Sequence, residues 1–418
     1  MDNNKKKVIF DGAYGISSFG DDAPLIVMVD MLRKKIGNIE FVVVSRHPEE
    51  DHYSNYGIKS IRGLEYPTKE ESIGKWFRGF NPDDDKSDLY QLYKEVESSD
   101  LLILGAGNYL VDYTIDILKG PVPRFVIMTI MAKMAGTPIM WYGISVGPLK
   151  TKLGRDLSRF AASLATIITV RDTKSILELS NIGVKASAIE LPDAVYKFTS
   201  PEKGHAKKFS TWVEAHTSDR PVIVISARSL PDGCGIDNET YLLSLANLCD
   251  LLIDRLNANI LFIPQCTYTH GNLNEDDRNI AKDIITKMQH TTNVYDINES
   301  IDVFDCISLY EGALGAICTR LHGNVFAVMQ GVPVIGLNYN PKVFEFFHWL
   351  GYEDLVVEIT DINPNLLYQK LITIITHRHD FVKYSQKRLD DGKFSIEKYA
   401  DLALEAMKYK VKYPNPSE

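Results

Sequence analysis

The chain has 418 residues, of which 45% are hydrophobic and 24% are charged, and its formal net charge is −9. This length exceeds what one hydrophobic core usually serves, so we expect two domains of about 200 residues each. The composition is typical of a soluble protein. The net negative charge and the lack of a clustered basic stripe argue against an extended nucleic-acid surface. They do not argue against a small anionic ligand held by a few arginines.

The cysteines indicate a reducing compartment. There are five, all in the second half and none in a CxxC pair, and no secretory leader precedes the first predicted strand. The most hydrophobic region, 122–140, is interrupted by charged, glycine and proline residues, which favours a buried helix and a strand over a membrane span. We therefore expect a cytoplasmic protein without a transmembrane segment, and leave peripheral association with a membrane open. The cysteines are Cys234, Cys249, Cys266, Cys306 and Cys318.

The first predicted strand, Lys7–Asp11, leads into a loop with three glycines, Gly12, Gly15 and Gly20. A helix is expected to begin near Asp21. The glycine spacing fits neither the dinucleotide fingerprint nor a P-loop with its lysine. A nucleotide site and a tight strand-to-helix turn therefore both remain open.

Three further stretches in the first half predict parallel strands that end in loops of small residues. Such loops on one sheet edge would form a cleft wall, in which Asn108 could hydrogen-bond hydroxyl groups. Tyr66–Ser87 is rich in charged and turn residues and is expected to be an excursion from the core. The predicted strands and loops are Leu101–Leu104 with Gly105–Asp112, Pro138–Tyr142 with Gly143–Pro148, and Thr166–Val170 with Arg171–Thr173.

The alternation of strands and helices restarts after a polar segment that we interpret as a linker, 200–220. Strand Val222–Ser226 is followed closely by Arg228, and a helix is expected over Asn238–Asn257. From Pro364 the sequence predicts mostly helix. The expected domains are 1–199, 221–380, and C-terminal helices 381–418 that could cross back to the first domain.

Gly312–Leu350 carries the strongest functional signal. Its pattern predicts a buried strand over Ala313–Cys318, a loop holding Arg320 and His322, and a helix from Asn324. Ligands of open α/β sheets bind at the carboxyl ends of the strands, where a helix N-terminus favours anions. Arg320 could grip a carboxylate or phosphate there, with Arg228 on a neighbouring strand end, and His322 could move a proton. The alternative is a surface ion pair and a capping histidine.

The sequence resembles the polysaccharide pyruvyl transferase family, enzymes that transfer pyruvate from phosphoenolpyruvate onto a sugar as a ketal. The resemblance spans about residues 7–351 and rests on motifs in order: VIFDGAYGISSFGDDA, GAGN, YGISVGPL, ITVRDTKS, LPDAVY, ISAR, IPQ and TRLHGNVFAVMQGVPVIGLNYNPKV. The implied fold is α/β, with two Rossmann-like domains facing each other across a cleft as in B-type glycosyltransferases. The loops GAGN and GISVGP depart from the family pattern, which leaves the acceptor less defined than the donor.

The resemblance also implies the site. It assigns catalysis to His322 and Arg320, and assigns phosphoenolpyruvate binding in the C-terminal domain to Arg228, Arg320, Leu321, His322, Gly323 and Asn324. The N-terminal domain would hold a saccharide acceptor, which could be lipid-linked, near Gly107, Asn108 and Ser145. No metal and no cofactor is expected.

Two other functions stay open at this stage. A nucleotide-sugar glycosyltransferase of the same fold is suggested by the spacing of Glu345 and Glu353, although Gly351 should end the helix between them. A non-catalytic glycan-binding or scaffold protein is the third possibility.

Overall fold

A computed structural model describes residues 5–64, 88–112, 120–198, 220–231, 233–271 and 273–411. The chain divides into two compact units. The first comprises the described parts of Met1–Ile16, Asp21–Phe198 and Lys393–Glu418, and the second those of Ser17–Gly20 and Thr199–Gly392. The predicted excursion Tyr66–Ser87 lies outside the described residues, and so does the predicted linker 200–220 except for Arg220.

The first unit is built on a parallel sheet of seven strands in the order β3-β2-β1-β4-β5-β6-β7. The strands are β1 (Lys6–Asp11), β2 (Ile39–Ser45), β3 (Ile58–Arg62), β4 (Leu101–Leu110), β5 (Ile139–Val146), β6 (Ile167–Val170) and β7 (Ala188–Glu190). Its helices are α1 (Phe19–Ile36), α2 (Asp88–Ser98), α3 (Pro121–Met134), α4 (Lys152–Leu164) and α5 (Thr173–Asn181).

The core of this unit follows from its central strands. Strands β4 and β5 are apolar along most of their length and almost wholly buried, as expected for parallel strands covered on both faces. Helix α3 packs Phe125 edge-on against Trp141 of β5, with ring centroids 5.0 Å apart. Both side chains are fully buried, so they fix how α3 lies on the sheet.

Two predicted glycine-rich loops in this unit are strand instead. β4 continues through Gly105–Leu110 and β5 through Gly143–Val146, with Asn108 in register with Ser145. The glycines at 105, 107 and 143 have positive φ angles, which let the strands bend without losing their pairing. The glycines in these segments led to the prediction of loops, because a glycine-rich sequence fits a bent strand as well as a turn.

The second unit is a parallel sheet of six strands in the order β10-β9-β8-β11-β12-β13. The strands are β8 (Val222–Ser226), β9 (Asn259–Phe262), β10 (Val294–Asp296), β11 (Gly315–Cys318), β12 (Val334–Asn338) and β13 (Val356–Glu358). The helices are α6 (Asn238–Leu256), α7 (Asp277–Ile285), α8 (Val303–Ser308), α9 (Leu321–Met329), α10 (Pro341–Leu350), α11 (Pro364–Thr376) and α12 (Arg378–Met407).

Side-chain caps set where the helices of this unit begin. Asp237 accepts a hydrogen bond from the Thr240 amide at the start of α6. Asn340 and Asn363 cap α10 and α11 in the same way, each with a proline in the first turn. These caps are local to the sequence and fix the residues at which α6, α10 and α11 begin.

The predicted fold class, two Rossmann-like α/β domains with parallel sheets, is confirmed. The sequence did not predict β3 and β13, which are short edge strands with weak apolar patterns. Helix α12 begins in the second unit, and its residues from Lys393 onward group with the first. Among the described residues, no helix is both long enough and apolar enough to cross a membrane.

Candidate functional site

The candidate site lies at the carboxyl ends of β8 and β11. These two strands are neighbours, with Cys318 in register with Ser226, so the segments that follow them emerge side by side. The pairing extends beyond the strands, because the Thr319 amide donates to the Ser226 carbonyl at 2.8 Å. Arg228 and Arg320, each two residues past its strand, therefore start from adjacent positions.

Helix α9 begins earlier than the sequence suggested. Arg320 is its N-cap residue and His322 lies in its first turn, so the prediction that His322 sits in a loop is wrong. The early start is stabilised by Asn324, whose side-chain amide donates to the Cys318 carbonyl at 3.2 Å and to the Arg320 carbonyl at 2.9 Å. His322 is thus carried on a helix end whose dipole favours anions.

Gly323 and Asn324 hold this turn against the sheet. A side chain at Gly323 would meet Ser226 at 2.9 Å and Tyr310 at 3.2 Å, so only glycine allows the helix to approach so closely. Asn324 is fully buried and points at backbone carbonyls. Of the residues predicted to bind the donor, these two have a clear structural role, while Leu321 is partly exposed on the same turn.

Arg320 is paired with Asp277, at the start of α7. Its Nε and Nη2 donate to the two carboxylate oxygens, with the shortest contact, Nη2 to Oδ1, at 2.6 Å. Asp277 is buried and also accepts the Gln265 and Cys266 amides, each at 3.0 Å. The carboxylate is therefore fully engaged and holds the guanidinium plane in one orientation.

The pairing sets the charge of Arg320. Burial disfavours the charged guanidinium, but the adjacent Asp277 carboxylate more than offsets this, so the pKa of Arg320 lies above its usual value. Arg320 stays charged, yet its charge is largely balanced within the protein. Among the described residues, its third nitrogen, Nη1, makes no hydrogen bond.

Arg228 is held differently. Its Nη1 donates to the Tyr339 hydroxyl at 2.6 Å and its Nε to the Ser229 carbonyl at 2.9 Å. Its Cζ lies 4.9 Å from the Tyr339 ring centroid, a cation–π contact. Within the described part of the chain, no carboxylate is paired with Arg228.

A short segment from near the start of the chain completes the surroundings of His322. Ser18 forms an antiparallel bridge with Cys266, and the Phe19 amide donates to the Gln265 carbonyl at 3.1 Å. A side chain built on Gly20 would lie 1.9 Å from His322 Nδ1. Gly20, which groups with the second unit, thus lies against the imidazole ring and restricts where it can point.

The residues predicted to bind the acceptor lie in the first unit on β4 and β5. Asn108 is partly exposed, whereas Ser145 is buried. The Ser145 hydroxyl accepts from Arg171 Nε at 2.7 Å and donates to Asp172 at 2.9 Å, so its hydrogen is already used within the protein. Gly107 has a φ of +113°, a backbone conformation that residues with a side chain rarely adopt, and an added Cβ would meet the Asp21 carboxylate at 2.8 Å.

Two buried ion pairs support the carboxyl edge of the first sheet. Asp11, at the end of β1, is fully buried and pairs with Arg124 of α3, which also donates to the Gly12 carbonyl at 2.7 Å. Arg171 pairs with Asp193 at 2.6 Å, and both side chains are almost completely buried. The pairs fix the backbone of this edge rather than presenting charge to a ligand.

The two glutamates that suggested a glycosyltransferase do not share a helix. Helix α10 ends at Leu350, and Gly351 has the left-handed conformation of a helix C-cap, as its position in the sequence predicted. Glu345 lies on α10, whereas Glu353 lies beyond the cap and accepts from His348 at 2.6 Å.

Sequence reasoning missed Asp277 and Tyr339. Asp277 follows another aspartate at the start of α7, where acidic residues usually act as caps, and Asp276 does cap α7. Tyr339 stands in the GLNYNP motif, but a tyrosine after a strand carries no signal of its own. Only the fold brings these side chains to the two arginines.

Comparison with known proteins identifies the family. Residues 19–341 match the family described as Polysaccharide pyruvyl transferase. The amylovoran biosynthesis protein AmsJ of Erwinia amylovora is 20% identical over 390 residues, which cover 87% of this chain and 91% of that protein.

Solved structures share the fold at low sequence identity. UDP-GlcNAc 2-epimerase from Neisseria meningitidis has a TM-score of 0.60 and 14% identity, covering 96% of this chain and 99% of the epimerase. The Anabaena protein HepE with UDP-glucose bound has a TM-score of 0.60 and 12% identity, with the same coverage. These likenesses establish the glycosyltransferase-B-like fold and nothing about ligands. The match over most of the sequence shows more: the chain is a pyruvyltransferase that belongs to the polysaccharide pyruvyl transferase family.

Proposed function

We propose that the protein transfers pyruvate from phosphoenolpyruvate onto two hydroxyl groups of a sugar, forming a ketal in exopolysaccharide synthesis. The observation that supports this most is that Arg228 and Arg320 follow the paired strands β8 and β11, with His322 in the first turn of α9. In a chain of this family, that grouping offers two cations, a helix N-terminus and a proton carrier on one sheet edge.

The two arginines suit different parts of the donor. Phosphoenolpyruvate carries a carboxylate and a phosphate. Arg228 has no acidic partner among the described residues, so its full charge is available for one of these groups. Arg320, balanced by Asp277, offers mainly a directed Nη1 hydrogen bond to the other. The N-terminus of α9 adds donors and a positive dipole end.

His322 is the proposed general acid. A proton delivered to the methylene carbon of phosphoenolpyruvate makes a methyl group and a cationic centre, which one sugar hydroxyl attacks with loss of its proton. The bond between this carbon and the bridging oxygen of the phosphate then breaks, which releases inorganic phosphate and leaves an oxocarbenium ion. The second sugar hydroxyl attacks the oxocarbenium carbon. Of the two hydroxyl protons, one balances the proton given to the methyl group and the other leaves with phosphate. The step requires no oxidant or reductant.

The acceptor is proposed to bind the first unit. Gly107, Asn108 and Ser145 lie on the neighbouring strands β4 and β5, where Asn108 is the partly exposed member. Because the Ser145 hydroxyl is already bonded to Arg171 and Asp172, we assign it to positioning and Asn108 to direct contact with sugar hydroxyls. A hexose or hexosamine of a glycan precursor, free or lipid-linked, fits this role, and the likeness to an amylovoran biosynthesis protein supports such an acceptor.

We place this reaction in the cytoplasm and expect no metal or cofactor. All five cysteines, which lie in the described residues, are thiols, and four of them are buried. Thiols in this number are typical of a reducing compartment.

The test is donor binding followed by phosphate release. Thermal-shift titration should show stabilisation by phosphoenolpyruvate, and inorganic phosphate should appear only when a suitable galactoside, mannoside or N-acetylhexosamine is added. Stabilisation by UDP with no response to phosphoenolpyruvate would instead favour a nucleotide-sugar glycosyltransferase. Arg255→Ala serves as a control, since Arg255 stacks on Tyr368 in the same unit but lies in the last turn of α6.

A further inference from the structure

The first unit has an exposed surface that is both apolar and basic. Helices α3 and α4 pack side by side, and each presents large hydrophobic side chains to solvent. On α3 these are Ile130 and Met134, which are 39% and 61% exposed. On α4 they are Leu153 and Phe160, which are 54% and 44% exposed and lie two turns apart on one face. We call these exposed faces the α3–α4 face.

Charge on this face opposes the charge of the chain. Residues 121–164 contain six Lys or Arg and one acidic residue, a formal net charge of +5, whereas the whole chain carries −9. Arg124 is buried on Asp11, which leaves five basic residues for the surface. Four of them are exposed and one, Arg155, is partly exposed; the four are Lys133, Lys150, Lys152 and Arg159.

Asp156, the one acidic residue of 121–164, does not neutralise the face, and the neighbouring Asp112 and Glu178 carboxylates accept the Lys150 and Leu149 amides. Asp156 accepts from both Lys152, at 2.5 Å, and Arg159, at 2.8 Å. The Lys152 side chain is 85% exposed, so its ion pair with Asp156 is weak. Lys152 can therefore leave Asp156 and pair with another anion. Lys133 and Lys150 flank the apolar side chains from the end of α3 and the approach to α4.

We propose that the α3–α4 face binds the surface of an anionic lipid bilayer. Interleaved apolar and basic side chains on one helical layer match such a surface, since the former enter the interface and the latter meet lipid phosphates. A protein partner would have to be strongly acidic to match the same charge. The association would be peripheral and is independent of the chemistry proposed above.

The test uses the full chain and sedimentation with vesicles of phosphatidylcholine alone or mixed with phosphatidylglycerol. The wild-type protein should sediment with the mixed vesicles and not with vesicles of phosphatidylcholine alone. The sedimented fraction should fall as the salt concentration is raised. Lys152→Glu/Arg159→Glu should weaken partitioning by at least about 25-fold, at about five-fold per lost charge. Met134→Ser/Phe160→Ser should weaken it while leaving the salt dependence in place.

A matched control carries the same change of charge elsewhere. Lys34→Glu/Lys35→Glu alters two exposed lysines of α1 and should leave partitioning within about two-fold of wild type, because only charges near the bilayer surface contribute. The connections from β1 through α1 to β2 and from β4 through α3 to β5 run in opposite directions across the sheet, so α1 covers the other side of the sheet from α3 and α4. Vesicle binding that ignores lipid charge, or an equal loss in the control, would overturn the proposal. So would a change from dimer to monomer in the serine variants, measured by analytical ultracentrifugation without lipid, since the face would then join two copies. Phosphate release with a soluble saccharide should be unaffected in every variant, which separates this proposal from the proposed reaction.

Discussion

Alanine substitution of the two arginines should change different quantities: donor affinity for Arg228 and the free energy of unfolding for Arg320. Among the described residues, Arg228 bonds a tyrosine hydroxyl and a carbonyl but no carboxylate, whereas Arg320 neutralises the buried carboxylate of Asp277. Removing Arg228 therefore removes charge from the proposed donor site without leaving a buried ion unpaired. Removing Arg320 leaves Asp277 buried and unbalanced.

The magnitudes follow from these partners. Arg228→Ala should weaken phosphoenolpyruvate binding by about 2–4 kcal/mol, or about 30- to 900-fold in Kd, because it deletes one charged partner of a desolvated anion. Its free energy of unfolding should change by less than about 1 kcal/mol. Arg320→Ala should lower the free energy of unfolding by about 3–5 kcal/mol, the usual result of breaking a buried ion pair.

Urea denaturation and isothermal titration with phosphoenolpyruvate measure the two quantities. Arg320→Ala/Asp277→Asn should recover much of the stability lost in Arg320→Ala, since no buried charge then remains, while donor binding should stay weak. Arg255→Ala should match wild type in donor binding. A change in donor affinity below about 0.5 kcal/mol in Arg228→Ala, or equal destabilisation by both arginine variants, would refute the reasoning.

Three further predictions concern the proton carrier and one loop. His322→Ala should lower kcat while leaving phosphoenolpyruvate affinity nearly unchanged, and an equal loss of affinity in titration would reassign His322 as a donor contact. Gly20→Ala should also lower kcat more than affinity, because its new methyl group must displace the imidazole; unchanged turnover would show that the ring position is not critical. Burial alone would raise the pKa of Asp112. The carboxylate accepts hydrogen bonds from the Lys150 and Thr151 amides, however, and these lower its pKa below the usual 3.8. A lowered pKa stabilises the fold at pH values above 3.8, and this stability is lost as pH falls through the folded value. Urea titrations of wild type and Asp112→Asn should therefore differ most at neutral pH and converge in acid, and a constant difference would contradict this assignment.

Local sequence patterns predicted most of the second unit. Val222–Ser226 coincides with β8, and the helix expected over Asn238–Asn257 is α6 with its C-cap residue. Buried parallel strands appear in the sequence as short apolar runs, and asparagine or aspartate caps mark the starts of helices. These elements can therefore be predicted without knowledge of long-range contacts.

Three features could not be predicted because they depend on contacts between distant residues. Arg320 and Asp277 are 43 positions apart, and nothing local indicates that they pair. The bent strands through Gly105 and Gly143 read as loops, since only their neighbours in the sheet keep them extended. Gly20 precedes His322 by most of the chain, yet it limits the position of the imidazole. The sequence predicted that Arg228 and Arg320 each follow a strand, which the structure confirms, but it did not predict the partners of either side chain.

The most direct test of the proposed reaction is the NMR spectrum of the saccharide product made from phosphoenolpyruvate in D₂O. A ketal and an enol ether of pyruvate have the same mass, but the ketal has a methyl group and the enol ether has two vinylic protons. The proposed mechanism predicts a methyl group carrying one deuterium, because the acid that protonates the methylene carbon exchanges with solvent. Vinylic signals, or a product that gains a glycosyl residue instead of pyruvate, would contradict it.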